Sequence, residues 1–244
     1  MTTRPTKTLG DWVAEIEQHM TPVPHRTVDF SCATCHGFRD GPQAQCSSCH
    51  LTMNQVTQPL DTVVPISMTT GYTQLHHILR SYKSEYTVDT ERRLMQVRMS
   101  AALTWLLGNH SHCLGSWDYL AVVPSTRRPP PHPLEAVVGR SPRLRDSLYS
   151  PLEVTSTAPE KRLARDSGYR TNQTVDGDRV LLIDDTFTSG ASLQSAASRL
   201  TLDGADVVGA VVFGRFVNPE RSNNQEHLET QENQAFDWTT CCLH

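Results

Sequence analysis

Two groups of residues in this chain have types and spacings that could do chemistry. The first is Val180-Leu-Leu-Ile-Asp-Asp-Thr-Phe-Thr-Ser-Gly-Ala-Ser192. Its four apolar residues read as a buried strand. That strand would deliver two adjacent carboxylates, Asp184 and Asp185, to the carboxyl edge of a parallel sheet, the edge where α/β folds bind ligands. The chain then turns through Thr186, Thr188, Ser189, Gly190, Ala191 and Ser192 into a helix. Backbone N–H groups and hydroxyls there can wrap a phosphate, and the helix dipole adds an attraction of ~0.3–1 kcal/mol. Gly190 lets the backbone come close where a Cβ would obstruct it. A phosphate cradle beside two acids that favour hydroxyls or a cation suits a ribose 5-phosphate. The bland alternative is a Ser/Thr-capped helix after any buried strand, with solvated acids in its loop.

The second group is Cys32-Ala-Thr-Cys35 and Cys46-Ser-Ser-Cys49, two Cys-x-x-Cys knuckles with ten residues between them. Four thiolates so spaced can complete a tetrahedral Zn2+ shell with Zn–S near ~2.3 Å. Metal binding worth ~10–16 kcal/mol would organise a segment too small to fold by burial alone. Each knuckle is followed by histidine, so both also read Cys-x-x-Cys-His, the c-type haem attachment pattern. Haem attachment follows export, and the opening Met1-Thr-Thr-Arg-Pro-Thr-Lys has no apolar leader core, which favours zinc. His36 or His50 could replace one cysteine as a ligand. The pair Cys241-Cys242, with His244, could ligate a metal but is more often packed thiol; Cys113 and His76-His77 read as structural.

The elements that must position these groups follow from pattern. Helices are expected over Asp11–Met20, Tyr72–Lys83 and Thr90–Leu107, the last stopped by Gly108-Asn-His-Ser-His. Strands are expected over Thr62–Met68 and in Trp117–Val123, the latter with the continuous apolar run of a buried parallel strand. Val180–Ile183, a loop over Asp184–Ala191, a helix over Ser192–Leu202 and a strand over Ala205–Phe213 form a β-α-β unit. Arg127-Arg-Pro-Pro-Pro-His-Pro133 cannot be regular structure. Asn218–Phe236 reads as polar and mobile. The expected class is α/β with a parallel-sheet core and a small zinc-ribbon-like N-terminal segment: residues 1–60 the helix and four-cysteine segment, 61–218 the sheet domain, 219–244 a polar tail.

The chain has 244 residues, 22 Lys+Arg against 26 Asp+Glu, and a formal net charge of −4. That balance argues against a broad nucleic-acid footprint, which needs clustered cations, though a local basic patch stays open. There is no run of ~18 apolar residues, so no membrane span is expected. Seven cysteines without a leader suit a reducing compartment, and the expectation is cytoplasmic.

The Val180–Ser192 segment resembles the phosphoribosyl pyrophosphate (PRPP) signature of type I phosphoribosyltransferases: four apolar residues, two acids, then Thr-x-x-Gly-Thr/Ser, with Ser189 and Ser192 as accepted variants. The resemblance implies that Asp184 and Asp185 hold the ribose 2′- and 3′-hydroxyls, and that Thr188, Ser189, Gly190 and Ser192 hold the 5′-phosphate. Leu120-Ala-Val-Val-Pro-Ser-Thr-Arg-Arg128 stands where that family has its pyrophosphate loop, which would give Ser125, Thr126, Arg127 and Arg128 to pyrophosphate. Cysteine knuckles ahead of such a domain resemble the ComF branch, as does the apolar helix Tyr72–Lys83. The likeness is tight over the PRPP segment and loose over Cys32–Asn218. Members of the branch usually carry Arg-Gly-x-Asn-Gln after the pyrophosphate loop, and here Pro129-Pro-Pro-His-Pro-Leu-Glu135 stands there. In purine-salvage members the third residue after the second acid is commonly aspartate; here it is Thr188.

The resemblance implies a Mg2+-dependent transfer of ribose 5-phosphate from PRPP, with release of pyrophosphate, to an acceptor the sequence does not name. A homodimer is left open. The rival reading is a PRPP-sensing or scaffold protein whose zinc segment contacts nucleic acid or another protein.

Overall fold

A computed structural model describes residues 7–243. Strand β1 (Val63–Thr69), β2 (Tyr119–Val122), β3 (Leu148–Tyr149), β6 (Arg179–Phe187) and β7 (Asp206–Phe216) form one five-stranded sheet in the order β1-β7-β6-β2-β3, with every pairing parallel. A parallel sheet must be covered on both faces, and the alternation of side chains divides the core accordingly. Leu181 and Ile183 of β6 pack with Leu120, Val122, Val211 and Phe213 beneath helices α1 (Leu9–Glu17), α3 (Gln74–Ser81), α4 (Asp89–Leu114) and α5 (Pro133–Gly139). Val180 and Leu182 face the other way, joining Ala121, Ala210 and Val212 beneath helix α6 (Ala191–Leu202). Cys32, Cys35, Cys46 and Cys49 belong to that second core.

Several expectations need correction. β6 does not stop at Ile183, because Asp184, Thr186 and Phe187 continue in register with Val212, Gly214 and Arg215 of β7. The two acids therefore stand in the strand's last residues rather than in a free loop, and the sheet fixes their direction. α4 runs through Gly108 to Leu114 and ends at Gly115, which takes φ +74°. An interior glycine costs ~1 kcal/mol, but Leu106, Leu107, His110 and Leu114 are buried along that stretch and hold it helical. α7 (Asn224–Glu232) occupies part of the tail expected to be mobile. Its Leu228 is buried against Phe38, Met68 and Val217, and His227 stacks on Phe30 at 4.2 Å between ring centroids. An antiparallel pair, β4 (Leu152–Val154) and β5 (Tyr169–Thr171), has no counterpart among the expected strands.

α1 begins at Leu9, two residues ahead of the expected Asp11, because Thr8 and Asp11 form a reciprocal capping box. The segment Cys32–Met53 with α2 (Ser47–Met53) is tied into the sheet domain at several points. The Thr34 carbonyl accepts from Val63 N–H at 3.0 Å, and Leu60 exchanges both backbone hydrogen bonds with the Gln194 amide at 2.9 and 2.8 Å. Among the described residues, no helix is long and apolar enough to cross a membrane.

Candidate functional site

The carboxyl ends of β2 and β6 open into one cavity of about 1050 Å3. Ser125, Thr126, Arg127 and Arg128 border it from the β2 side, and Asp184, Asp185, Thr186, Thr188, Ser189, Gly190, Ala191 and Ser192 from the β6–α6 side. The structure thus brings all these sequence-selected residues to one place. Gly190 caps α6 in the left-handed region, φ +83°, and no side chain caps the helix. A Cβ there would stand 2.5 Å from Cζ of buried Phe187. Both the conformation and the close approach demand glycine, and together they leave the first-turn N–H groups of α6 at the cavity wall.

The acids are unequal. Asp185 is buried; its Oδ2 accepts from the Tyr82 hydroxyl at 2.5 Å and from Lys83 Nζ at 2.5 Å. Burial acts to raise its pKa, but the Lys83 charge and the bonds from Lys83 and Tyr82 outweigh it, and Asp185 is held below the ordinary carboxylate value. Burial keeps the Tyr82 phenol protonated, so it has a proton to donate to the Asp185 carboxylate. Asp184 has no cation of its own. Burial, then the neighbouring Asp185 charge, pushes its pKa up to about 8, against the opposing N–H of Asp185, which donates to Asp184 Oδ1 at 2.7 Å. Near neutral pH the pair carries one negative charge.

Sequence reasoning missed several cavity residues. Lys83 follows α3; Lys161 and Arg165 lie in the irregular connection between β4 and β5; His132 precedes α5. Burial lowers the His132 pKa and keeps the imidazole neutral, its Nδ1 accepting from Leu134 N–H at 3.2 Å. Tyr82 and Lys83 stood at the end of a recognisable helix, so a cation after an apolar helix was the available signal. Nothing in the pattern of Thr155–Gly168 marks Lys161 or Arg165.

Behind the phosphate-type turn lies the cysteine cluster. The four Sγ atoms of Cys32, Cys35, Cys46 and Cys49 lie within 4.8 Å of one another and are buried. Cys35 and Cys46 are 3.8 Å apart, the edge of about 3.8 Å that a tetrahedron of Zn–S bonds would have. An all-sulfur, closed donor set suits a soft-tolerant ion such as zinc. Neither following histidine joins: His36 is buried with φ +53°, and His50 is exposed. The Cys46 N–H donates to Cys32 Sγ at 3.2 Å. His244, the ligand candidate at the C-terminus, lies outside the described residues.

Arg215, at the end of β7, is the link between the two groups. Its Nε donates to Cys35 Sγ at 3.1 Å, and Nη2 lies 3.9 Å from Cys46 Sγ. Its Nη1 donates to the carbonyls of Phe187 at 3.3 Å, Thr188 at 3.4 Å, and Phe216. Burial would lower its pKa, but the cysteine sulfurs outweigh this and the guanidinium stays charged. A second tie runs from Thr52 Oγ1 of α2 to the Ser189 carbonyl at 3.3 Å. The metal-type centre therefore props the backbone of the turn that borders the cavity. No protein-family model matches this chain, and no curated protein matches it.

Proposed function

We propose that the cavity binds PRPP and that the protein is a phosphoribosyltransferase with a type I core, in which the four-cysteine cluster holds a structural zinc ion. One observation carries the reading. An acid pair fixed by the sheet and a glycine-capped helix N-terminus meet at one cavity, whose opposite wall supplies Arg127 and Arg128. On this reading Asp184 and Asp185 receive the ribose hydroxyls, the turn Thr188–Ser192 receives the 5′-phosphate, and Arg127 and Arg128 face the pyrophosphate with Lys83 and Lys161 nearby. Asp184, protonated near neutrality, can donate to one ribose oxygen while Asp185 accepts from another.

The chemistry asks for positioning and electrostatics rather than a covalent nucleophile. The C1–O bond to pyrophosphate breaks with its electron pair going to the leaving oxygen, and an acceptor atom bonds to C1. The cationic wall offsets the charge that gathers on the departing group. Mg2+ arriving with PRPP would supply further neutralisation. The cavity does not identify the acceptor.

The test is pyrophosphate release from PRPP and Mg2+, with and without candidate nucleophiles, beside calorimetric titration with PRPP. Binding that is lost in Asp184→Asn with Asp185→Asn, and weakened in Arg127→Ala with Arg128→Ala, is expected. Unchanged binding in the Asp pair variant refutes the assigned site. Binding without pyrophosphate release for any acceptor would leave a sensor rather than an enzyme.

A further inference from the structure

At the far end of α4 a second group of metal-type ligands comes together from parts of the chain 128 residues apart, the separation of His110 and Trp238. His110 and Cys113 lie three residues apart, on one face of the helix. Cys241 comes from the C-terminal segment. Their ligand atoms lie within 4.8 Å of one another. No regular secondary structure brings Cys241 here. The segment is held instead by Asp237, whose Oδ1 accepts from Thr239 N–H at 2.8 Å, by the Arg26 N–H donating to the Cys242 carbonyl at 3.0 Å, and by the burial of Trp238 and Leu243 against the α4 side of the core.

The tautomer of His110 is the most telling feature. Its Nε2 lies 2.7 Å from the Trp238 carbonyl oxygen. A carbonyl can only accept, so Nε2 carries the proton and Nδ1 keeps a free lone pair. That lone pair faces Cys113 Sγ at 3.9 Å. A ring nitrogen donating to a backbone carbonyl while the other is left bare is the arrangement that orients metal-binding histidines. An N–S edge in a tetrahedral zinc shell would be about 3.6 Å, so a closure of a few tenths of an ångström suffices.

We propose that His110 Nδ1, Cys113 Sγ and Cys241 Sγ form a second zinc site, distinct from the four-cysteine cluster. Two thiolates and a neutral imidazole balance the charge of Zn2+, which suits a partly buried position. Each thiol gives up its proton on binding. The fourth position falls to a solvent molecule, since only His110, Cys113 and Cys241 bring ligand atoms together there among the described residues. Sulfur and imidazole donors favour zinc over Mg2+ or Ca2+. The ion would pin the C-terminal segment to α4 across the sheet from the first cysteine cluster.

The test uses the full-length protein loaded with Zn2+ in a phosphine reductant and freed of excess metal. Elemental analysis should give one more zinc per chain in the wild type than in Cys113→Ser with Cys241→Ser, and the same difference from His110→Ala. Equal zinc content in wild type and variants overturns the proposal. Because a variant can fail by misfolding, alkylation is mapped in the wild type as well. Cys113 and Cys241 should react slowly when zinc is present and at least tenfold faster after chelation. Equal rates with and without chelator overturn it. So does a mass lower by the two hydrogens of a disulfide, since that shows the thiols joined to each other rather than to a metal.

Discussion

Replacing Arg215 tests whether the cysteine cluster and the cavity act as one structure. The guanidinium is 6% exposed and serves two sulfurs and three carbonyls, those of Phe187, Thr188 and Phe216. Counting each bond to a charged group at ~1.5–3 kcal/mol would overshoot, because the contacts share one desolvation cost. Removing one partner of a buried ionic network costs ~3–5 kcal/mol, and that is the expected loss for Arg215→Gln. For a chain of this size, 1 kcal/mol moves Tm by ~2–4 °C, so the variant should melt ~6–20 °C lower. Arg215→Lys keeps the charge but not the planar fork that reaches sulfur and carbonyl together, and should fall between. Thermal melting would be read with zinc content and PRPP titration. PRPP affinity should drop even at temperatures where the variant is folded, because the Thr188 carbonyl anchors the turn. A glutamine variant that melts within about 2 °C of wild type and keeps both zinc and PRPP affinity would refute the coupling.

Three further outcomes are expected. Cys32→Ser with Cys35→Ser should lose one zinc per chain by elemental analysis and melt early, since both side chains are fully buried. Asp184 is raised from 3.8 to about 8 by burial and by Asp185. Between those values the folded chain keeps a proton the unfolded chain has lost, so stability should fall as pH rises, by at most ~1.4 kcal/mol per unit, and Asp184→Asn should flatten that slope in melts taken from pH 5 to 8. Thr188 offers no general acid or base near neutrality; hypoxanthine and guanine with PRPP should give no appreciable nucleoside monophosphate, and turnover on the order of 1 per second would overturn the assignment.

Where the chain declares a local pattern, it was legible. The apolar run at Val180–Ile183 and the acids, hydroxyls and glycine after it could be read as one unit, because strand, turn and helix are adjacent in sequence. The four cysteines were legible for the same reason. What escaped depends on pairing with distant residues. β6 continues through its two acids only because β7 offers partners as far as Arg215. Gly108 reads as a stop, yet the buried residues flanking it keep α4 helical. Arg215 stands two residues beyond the expected strand end at Phe213, and its sulfur and carbonyl partners come from residues up to 180 positions away. Cys113 has no visible partner until Cys241 folds back on it.

Net charge is silent on such local arrangements, because it averages over groups that neutralise one another, and the local basic patch it left open is found at the cavity. The chain carries −4 overall, yet the cavity wall is cationic. Lys83 pairs with Asp185, and Arg165 with Glu160 at 3.1 Å. Asp184 keeps its proton near neutrality, and burial keeps His132 neutral. That leaves Arg127, Arg128 and Lys161 at the cavity without a salt-bridge partner among the described residues. Three cations beside a helix N-terminus suit a small, highly charged anion and are too few for a long polyanion. On the proposed reading a compact sugar phosphate that also carries a pyrophosphate meets both the charge and the acids; a bare polyphosphate would bring no hydroxyls to Asp184 and Asp185.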